Sequence, residues 1–184
     1  MKRNSLLFFA AFLVLCLAHA FAAAPTLKQE TPPTTKKKEP PASSRKDTRD
    51  DKTKAIEAHN EYRKKHGAEP LVWNDEMADF AEEHTKVCDF KHSTADWGEN
   101  IAEGYEDVND AFNAWYDEVN IYKAGKEDFD MKTAHFTQMV WKGTKEFGCY
   151  SRKCPRGYYL VCEYNPAGNI KGENGKHFKE NVQP

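Results

Sequence analysis

The 184-residue chain lacks any long apolar run. Its one apolar stretch, Leu6 to Leu17, falls below the ~18 residues a membrane span usually needs, and no later segment comes close. No Asn-x-Ser/Thr sequon occurs, so an N-glycan is not expected. No cysteines show zinc-finger spacing, no Gly-x-Ser-x-Gly nucleophile elbow is present, and no internal repeat appears. Basic residues are scarce where nucleic acid would need them. From Ala55 onward 16 Lys and Arg stand against 24 Asp and Glu, a net charge of −8 with no basic stripe, which argues against a nucleic-acid partner.

What is present begins with Met1-Lys2-Arg3, the apolar centre, and the small-residue cluster "AHAFAAA" from Ala18 to Ala24. That layout predicts a secretory signal peptide over residues 1–24, and hence a secreted, extracellular protein. Residues 25–54 are rich in Pro, Thr, Ser and charge, with almost nothing to bury, and predict a disordered leader. Its Lys36-Lys37-Lys38 run could meet an anionic membrane surface, although a solvating tail is the plainer reading. Residues 55–184, about 130 of them, suit one domain with one core.

Cys16 lies within the expected signal peptide, which leaves Cys88, Cys149, Cys154 and Cys162. An even count in an exported chain suggests two disulfides, with three connectivities open. "EFGCYSRK" and "GYYLVCEY" flank the turn sequence Cys154-Pro155-Arg156-Gly157 and predict a β-hairpin. If its apex lies between Pro155 and Arg156, Cys149 and Cys162 face each other across the strands, which leaves Cys88 to pair with Cys154.

Helical periodicity predicts four helices. The first carries Ala55, His59, Tyr62 and His66 on one face and stops at Gly67. The second starts at an Asn74 cap, with Met77, Phe80, Ala81, His84 and Val87 on its inner stripe. The third runs from about Glu106 to Tyr122, with Val108, Ala111, Phe112, Trp115, Val119 and Tyr122 inward, and Glu118 at the margin of that stripe. The fourth covers about Thr133 to Trp141, and the glycine-rich tail after Gly168 reads as loop. Helices in a row followed by strands indicate the α+β class.

His92, Glu99, Glu118 and His135 are the residues that could carry chemistry, yet their spacing matches no short metal or protease pattern. Ser93 beside His92 invites a Ser/His/Glu reading. Without an oxyanion site, and with neighbouring strand residues pointing to opposite faces, a turn hydroxyl is the better account of it.

"HFTQMVWKGT" and "YLVCEYNPAGNI" resemble the two signature segments of the CAP superfamily of cysteine-rich secretory, antigen 5 and pathogenesis-related 1 proteins. "AHNEYRKKHG", "LVWNDEMADFAEEH", "HSTADWGENIAEG" and "AWYDEVNIY" follow the family's order, so the resemblance covers residues 55–172. It implies an α-β-α sandwich with a small antiparallel sheet between helical layers. It also implies that His92, Glu99, Glu118 and His135 converge in one cleft, a candidate site for Zn²⁺, although no cofactor is required.

The loop before the first signature carries Tyr122, Phe129 and Met131, and by resemblance to sterol-binding members it is the candidate sterol site. A fatty-acid channel also occurs in the family, without a motif that would assign its residues here. The leading expectation is a secreted, non-enzymatic carrier of sterol or a related lipid. The alternatives are a receptor-directed defence, venom or host-modulating protein, and a metal-dependent activity in the cleft. Gly168 and Asn169 read as turn formers rather than ligand contacts.

Overall fold

The first helix begins earlier than its apolar face would define. In the computed structural model, which describes residues 45–122 and 128–183, α1 runs Arg45–Lys65, so residues 45–54, expected in the disordered leader, are helical. The cause is a set of polar contacts that hydrophobic patterning does not register. Lys52 pairs with Asp75 at 2.9 Å and sits 4.9 Å from the centre of the Trp73 ring, Lys54 pairs with Asp107 at 2.8 Å, and Ser151 donates to Asp51. The expected signal peptide and residues 25–44 of the leader lie outside the described residues. No described helix is long and apolar enough to cross a membrane.

Gly67, at φ +61°, ends α1 in the left-handed region. Ala68 donates its N–H to the Arg63 carbonyl and Gly67 donates to Lys64, the paired bonds of a Schellman close. The expected face is buried, with Ala55, His59, Tyr62 and His66 all at 8% exposure or less. Two residues of β1 follow (Val72–Trp73), and then α2 (Asp75–Thr85), whose first N–H groups are capped by the Asn74 side chain. The buried stripe of α2 is Met77, Ala81 and Thr85. Val87 lies past the helix end and is exposed, contrary to expectation.

The edge strand β2 (Gly98–Tyr105) was not legible, since Gly98, Glu99, Glu103 and Gly104 are poor strand formers. Pairing with β4 recruits it. α3 (Val108–Asp117) ends in a 3₁₀ turn at Glu118–Asn120, α4 spans Ala134–Met139, and β3 (Glu146–Cys154) and β4 (Gly157–Asn165) form the expected hairpin. Cys149 is the register partner of Cys162, and both expected disulfides, Cys88–Cys154 and Cys149–Cys162, are formed. The tail, expected as loop, contains α5 (Lys176–Asn181), because Phe178 and Val182 bury themselves and the Phe178 ring meets Trp141 edge-on at 5.1 Å.

The sheet order is β1-β3-β4-β2. It is not wholly antiparallel, since β1 runs parallel to β3. Strand alternation sends Ile101, Tyr159 and Val161 toward α2, where they pack with Ala81, and sends Ala102, Leu160, Cys162 and Tyr164 into the larger core with α1, α3 and α4. Gly148 lets α2 approach closely: a Cβ there would sit 2.4 Å from the Ala78 nitrogen. Helices thus lie on both faces of a small sheet, the expected α-β-α sandwich.

Candidate functional site

β2 forms one edge of the sheet, and the four expected polar residues gather beside it as two imidazole–carboxylate pairs. His92 comes from the loop after α2 and Glu99 from β2, with His92 Nδ1 2.5 Å from Glu99 Oε1. Glu99 also accepts the Ser93 backbone N–H on both oxygens, at 3.0 and 3.2 Å. Glu118 opens the 3₁₀ turn after α3 and His135 lies in the first turn of α4, with His135 Nδ1 2.6 Å from Glu118 Oε1. The other Glu118 oxygen accepts the backbone N–H groups of His135 and Phe136, each at 3.0 Å, so one carboxylate caps α4 and orients its histidine.

His92, Glu99 and His135 line a cleft of about 110 Å³ together with Asn100, Phe129, Met131, Ala134 and Asn169. Glu118 stands behind His135. The apolar neighbours of His135 hold α4 in place, since Phe136, Met139, Val140 and Trp141 are all buried. Trp115 stacks on the His135 ring at 5.5 Å.

A buried chain of hydrogen bonds supports the same segment from beneath. His59 Nδ1 donates to the Ala55 carbonyl, so its Nε2 accepts from the Tyr164 hydroxyl at 2.8 Å. Asn100 Nδ2 reaches the Tyr164 hydroxyl at 3.3 Å and the His135 carbonyl at 3.1 Å. Burial lowers the His59 pKa to about 3, with the Arg63 charge adding to that and the Ala55 carbonyl opposing it, so the ring is neutral.

Glu163 is a buried acid beside the cleft that pattern reading missed. It is fully buried on β4 as the register partner of Glu99, and among the described residues neither of its oxygens has a hydrogen-bond partner. Burial first, and then the neighbouring Glu99 carboxylate, hold the Glu163 proton on up to about 9. Burial would raise Glu99 too, but the neighbouring Glu163 carboxyl, the Ser93 backbone and hydroxyl, and His92 outweigh it and keep Glu99 below the usual carboxylate range. An acid inside the run "YLVCEY" was the available signal.

Each histidine uses Nδ1 on a glutamate, the arrangement that fixes a ring and leaves Nε2 as the free donor toward a metal. His92 and His135 each keep Nε2 unengaged by a glutamate, while Glu99 and Glu118 orient the two rings through Nδ1. Among the described residues, no three His, Cys, Asp or Glu side chains converge as a ligand group. A Ser/His relay does not form either, since the Ser93 hydroxyl accepts the Ala95 N–H and acts on Glu99, while His92 meets Glu99 through Nδ1.

Of the expected sterol residues, Phe129 and Met131 line the cleft, Met131 with 72% of its surface exposed. Tyr122 does not. It is buried in the core, 5.5 Å from the Phe136 ring, because it continues the inward stripe of α3. Residues 123–127 of the expected loop lie outside the described residues. Ile170, half exposed next to the cleft residue Asn169, was not anticipated. Asn169, at φ +56°, accepts the Thr137 hydroxyl and donates to the Ala134 carbonyl, and Gly168 donates to Gln138, so both clamp α4 from an irregular segment while Asn169 also borders the cleft.

Residues 56–164 match the family model described as the cysteine-rich secretory protein family, CAP. Repressed by EFG1 protein 1 of Candida albicans is 35% identical over 141 residues, covering 70% of this chain and 52% of that protein. Secreted protein RBT4 of the same organism is 36% identical over 144 residues, covering 69% of this chain and 39% of that protein. The chain thus spans about half or less of the length of these fungal relatives. A crystal structure of NaASP2 with Zn²⁺ aligns with a TM-score of 0.60 at 28% identity, covering 67% of this chain and 83% of that one.

Proposed function

The chain belongs to the cysteine-rich secretory protein family, and from that premise we propose that it is a secreted, non-enzymatic protein that binds a sterol or a related lipid at the mouth of the His/Glu cleft. The observation that carries this reading is the pairing of apolar side chains, the exposed Met131 and the partly buried Phe129, with polar anchors in one concavity. Phe129 and Met131 line the same cleft as His92 and His135, and Ile170 stands beside it. An amphipathic ligand needs that combination: an apolar face to leave water, and a polar group to fix its orientation. The Lys171 ammonium, 4.1 Å from the centre of the Phe129 ring, braces one rim of this surface.

Secretion is supported by the signal-peptide layout at the start of the sequence and by a relative named as a secreted protein. The test of binding is a cholesterol titration of the secreted, disulfide-bonded protein beside a Phe129→Ser/Met131→Ser variant. Saturable binding, weakened about tenfold or more in the variant, is the expected result. An equal lack of binding in both would remove the lipid reading and favour recognition of an extracellular receptor.

A second reading rests on the two free imidazole nitrogens. A divalent cation such as Zn²⁺ would be held by His92 Nε2 and His135 Nε2, and the crystal structure of NaASP2 with Zn²⁺ supports looking for it. The cation would supply a positive charge in the cleft. This chain's own part is to hold both rings with Nε2 free, through Glu99 and Glu118. Calorimetry should then show Zn²⁺ uptake that His92→Ala and His135→Ala each abolish, and that weakens as pH falls and the ligand nitrogens protonate. No uptake by the unaltered protein would exclude this reading.

A further inference from the structure

We propose that Met131 is a reversible oxidation site: a peroxide converts its thioether to the sulfoxide and turns the apolar rim of the cleft polar. The sulfur atoms of the chain single it out. Met131 is 72% exposed and lines the cleft, whereas Met77 and Met139 are buried at 1% and 0%. Cys88, Cys154, Cys149 and Cys162 are joined in two disulfides, so none of them offers a thiol that would compete for the oxidant. Met1 and Cys16 belong to the expected signal peptide, outside the described residues. Among the described residues, the Met131 thioether is therefore the reduced sulfur that a peroxide in the surrounding water can reach.

The place of this residue gives the reaction its consequence. Backbone bonds fix the turn that carries Met131: Asp130 accepts the Lys132 N–H on its side chain at 2.9 Å and the Thr133 N–H on its carbonyl at 3.1 Å. Oxidation there alters the rim and leaves the buried packing alone. In the step, one peroxide oxygen bonds to the sulfur, the O–O bond breaks, the sulfur gives up two electrons and hydrogen peroxide leaves as water. A methionine sulfoxide reductase, drawing two electrons from a dithiol, reverses it. The sulfoxide oxygen accepts hydrogen bonds from water, and an apolar ligand must strip that water without replacing it, a loss on the order of tenfold in affinity. Phe129 and Ile170 contribute hydrocarbon to the same region and have no sulfur to oxidise.

The effect on affinity rests on the reading of the cleft mouth as a lipid site, but the chemistry is tested without a ligand, so the two can fail separately. The secreted, disulfide-bonded protein and Met131→Leu are treated with dilute hydrogen peroxide, then compared by peptide mass mapping and by hydrophobic-interaction chromatography. Expected is one added oxygen on Met131 with Met77 and Met139 unmodified. Earlier elution of the treated protein should accompany it, reversed by methionine sulfoxide reductases and not shown by Met131→Leu. Oxidation of Met77 or Met139 as fast as Met131 overturns the proposal, as does an elution that Met131 oxidation leaves unchanged or a shift that Met131→Leu shares. In a cholesterol titration, each protein is compared with its own untreated sample: binding by the oxidised protein should weaken on the order of tenfold, and peroxide should change nothing in Met131→Leu. Undiminished binding after Met131 oxidation overturns the proposal. No binding by the untreated protein removes the lipid reading, and the mass map and the elution shift then decide the oxidation site by themselves.

Discussion

His59 and Glu163 are both held uncharged in the interior at neutral pH, and they move stability in opposite directions as pH changes. The folded His59 pKa of about 3 lies below its free value of 6.5, so between those values the unfolded chain binds a proton that the folded chain refuses. Stability from this residue is complete above about 6.5 and falls as pH drops toward 3, by up to about 1.4 kcal/mol per pH unit. Urea unfolding of His59→Gln should show a shallower acid slope than the unaltered protein. Equal slopes would mean that His59 is not buried neutral.

Glu163 has the reverse sign. Its folded pKa of about 9 exceeds its free value of 4.5, so the unfolded chain loses the proton first and stability declines as pH rises through that window. Glu163→Gln removes that decline, and its stability relative to the unaltered protein should rise between pH 5 and pH 8 in chelator-treated samples. A constant difference across that range would contradict the assignment of the proton. Neither behaviour was legible from residue type alone, because both come from burial that only the folded chain supplies.

Among the elements, the cap of α2 shows what local sequence can specify. Asn74 accepts the N–H groups of Glu76 and Met77, and its amide donates to Glu146 on β3 at 3.1 Å, so one side chain starts a helix and ties it to the sheet. Asn74→Ala should cost about 1 kcal/mol or more in denaturant unfolding. A loss of only a few tenths would show that the cap is dispensable. The helices with 3.6-residue apolar periodicity and the β3–β4 hairpin were readable for the same reason: their signals are local.

The elements that escaped were those whose stability is supplied from elsewhere. β1 is two residues long and exists through its bonds to β3, β2 is a weak strand former held by β4, and α5 forms because Phe178 and Val182 find Trp141 and the core. The start of α1 is held by ion pairs to Asp75 and Asp107. The cleft was readable only in part. His92, Glu99, Glu118 and His135 were named through resemblance, but their division into ligand-capable rings and orienting carboxylates depends on which imidazole nitrogen each glutamate takes, and spacing does not encode that. Tyr122 carried two expectations, an inward position on the third helix and a place in the loop ahead of α4, and its packing against Phe136 bears out the first.

At the scale of the whole molecule, long-range staples join layers that short loops do not. The Arg63 guanidinium, fully buried, donates to the carbonyls of Glu69, Met139, Trp141 and Thr144, tying α1 to the segment that follows α4. Burial lowers its pKa to about 10, which leaves it charged at neutral pH. Arg63→Met strands four carbonyls and should cost more than about 3 kcal/mol. Arg63→Lys should not restore that stability, because an ammonium lacks the planar fork that reaches all four. Recovery by Lys in thermal unfolding would show that charge alone matters.

A lipid at the cleft mouth beside His92 and His135 would be within reach of photocross-linking. A photoactivatable cholesterol analogue is bound to the secreted protein, illuminated, and the modified residues are mapped by peptide mass spectrometry. Label on Phe129, Met131 and Ile170, displaced by excess cholesterol, is the expected result. Competable label confined to other surfaces, or no competable label at all, would contradict it.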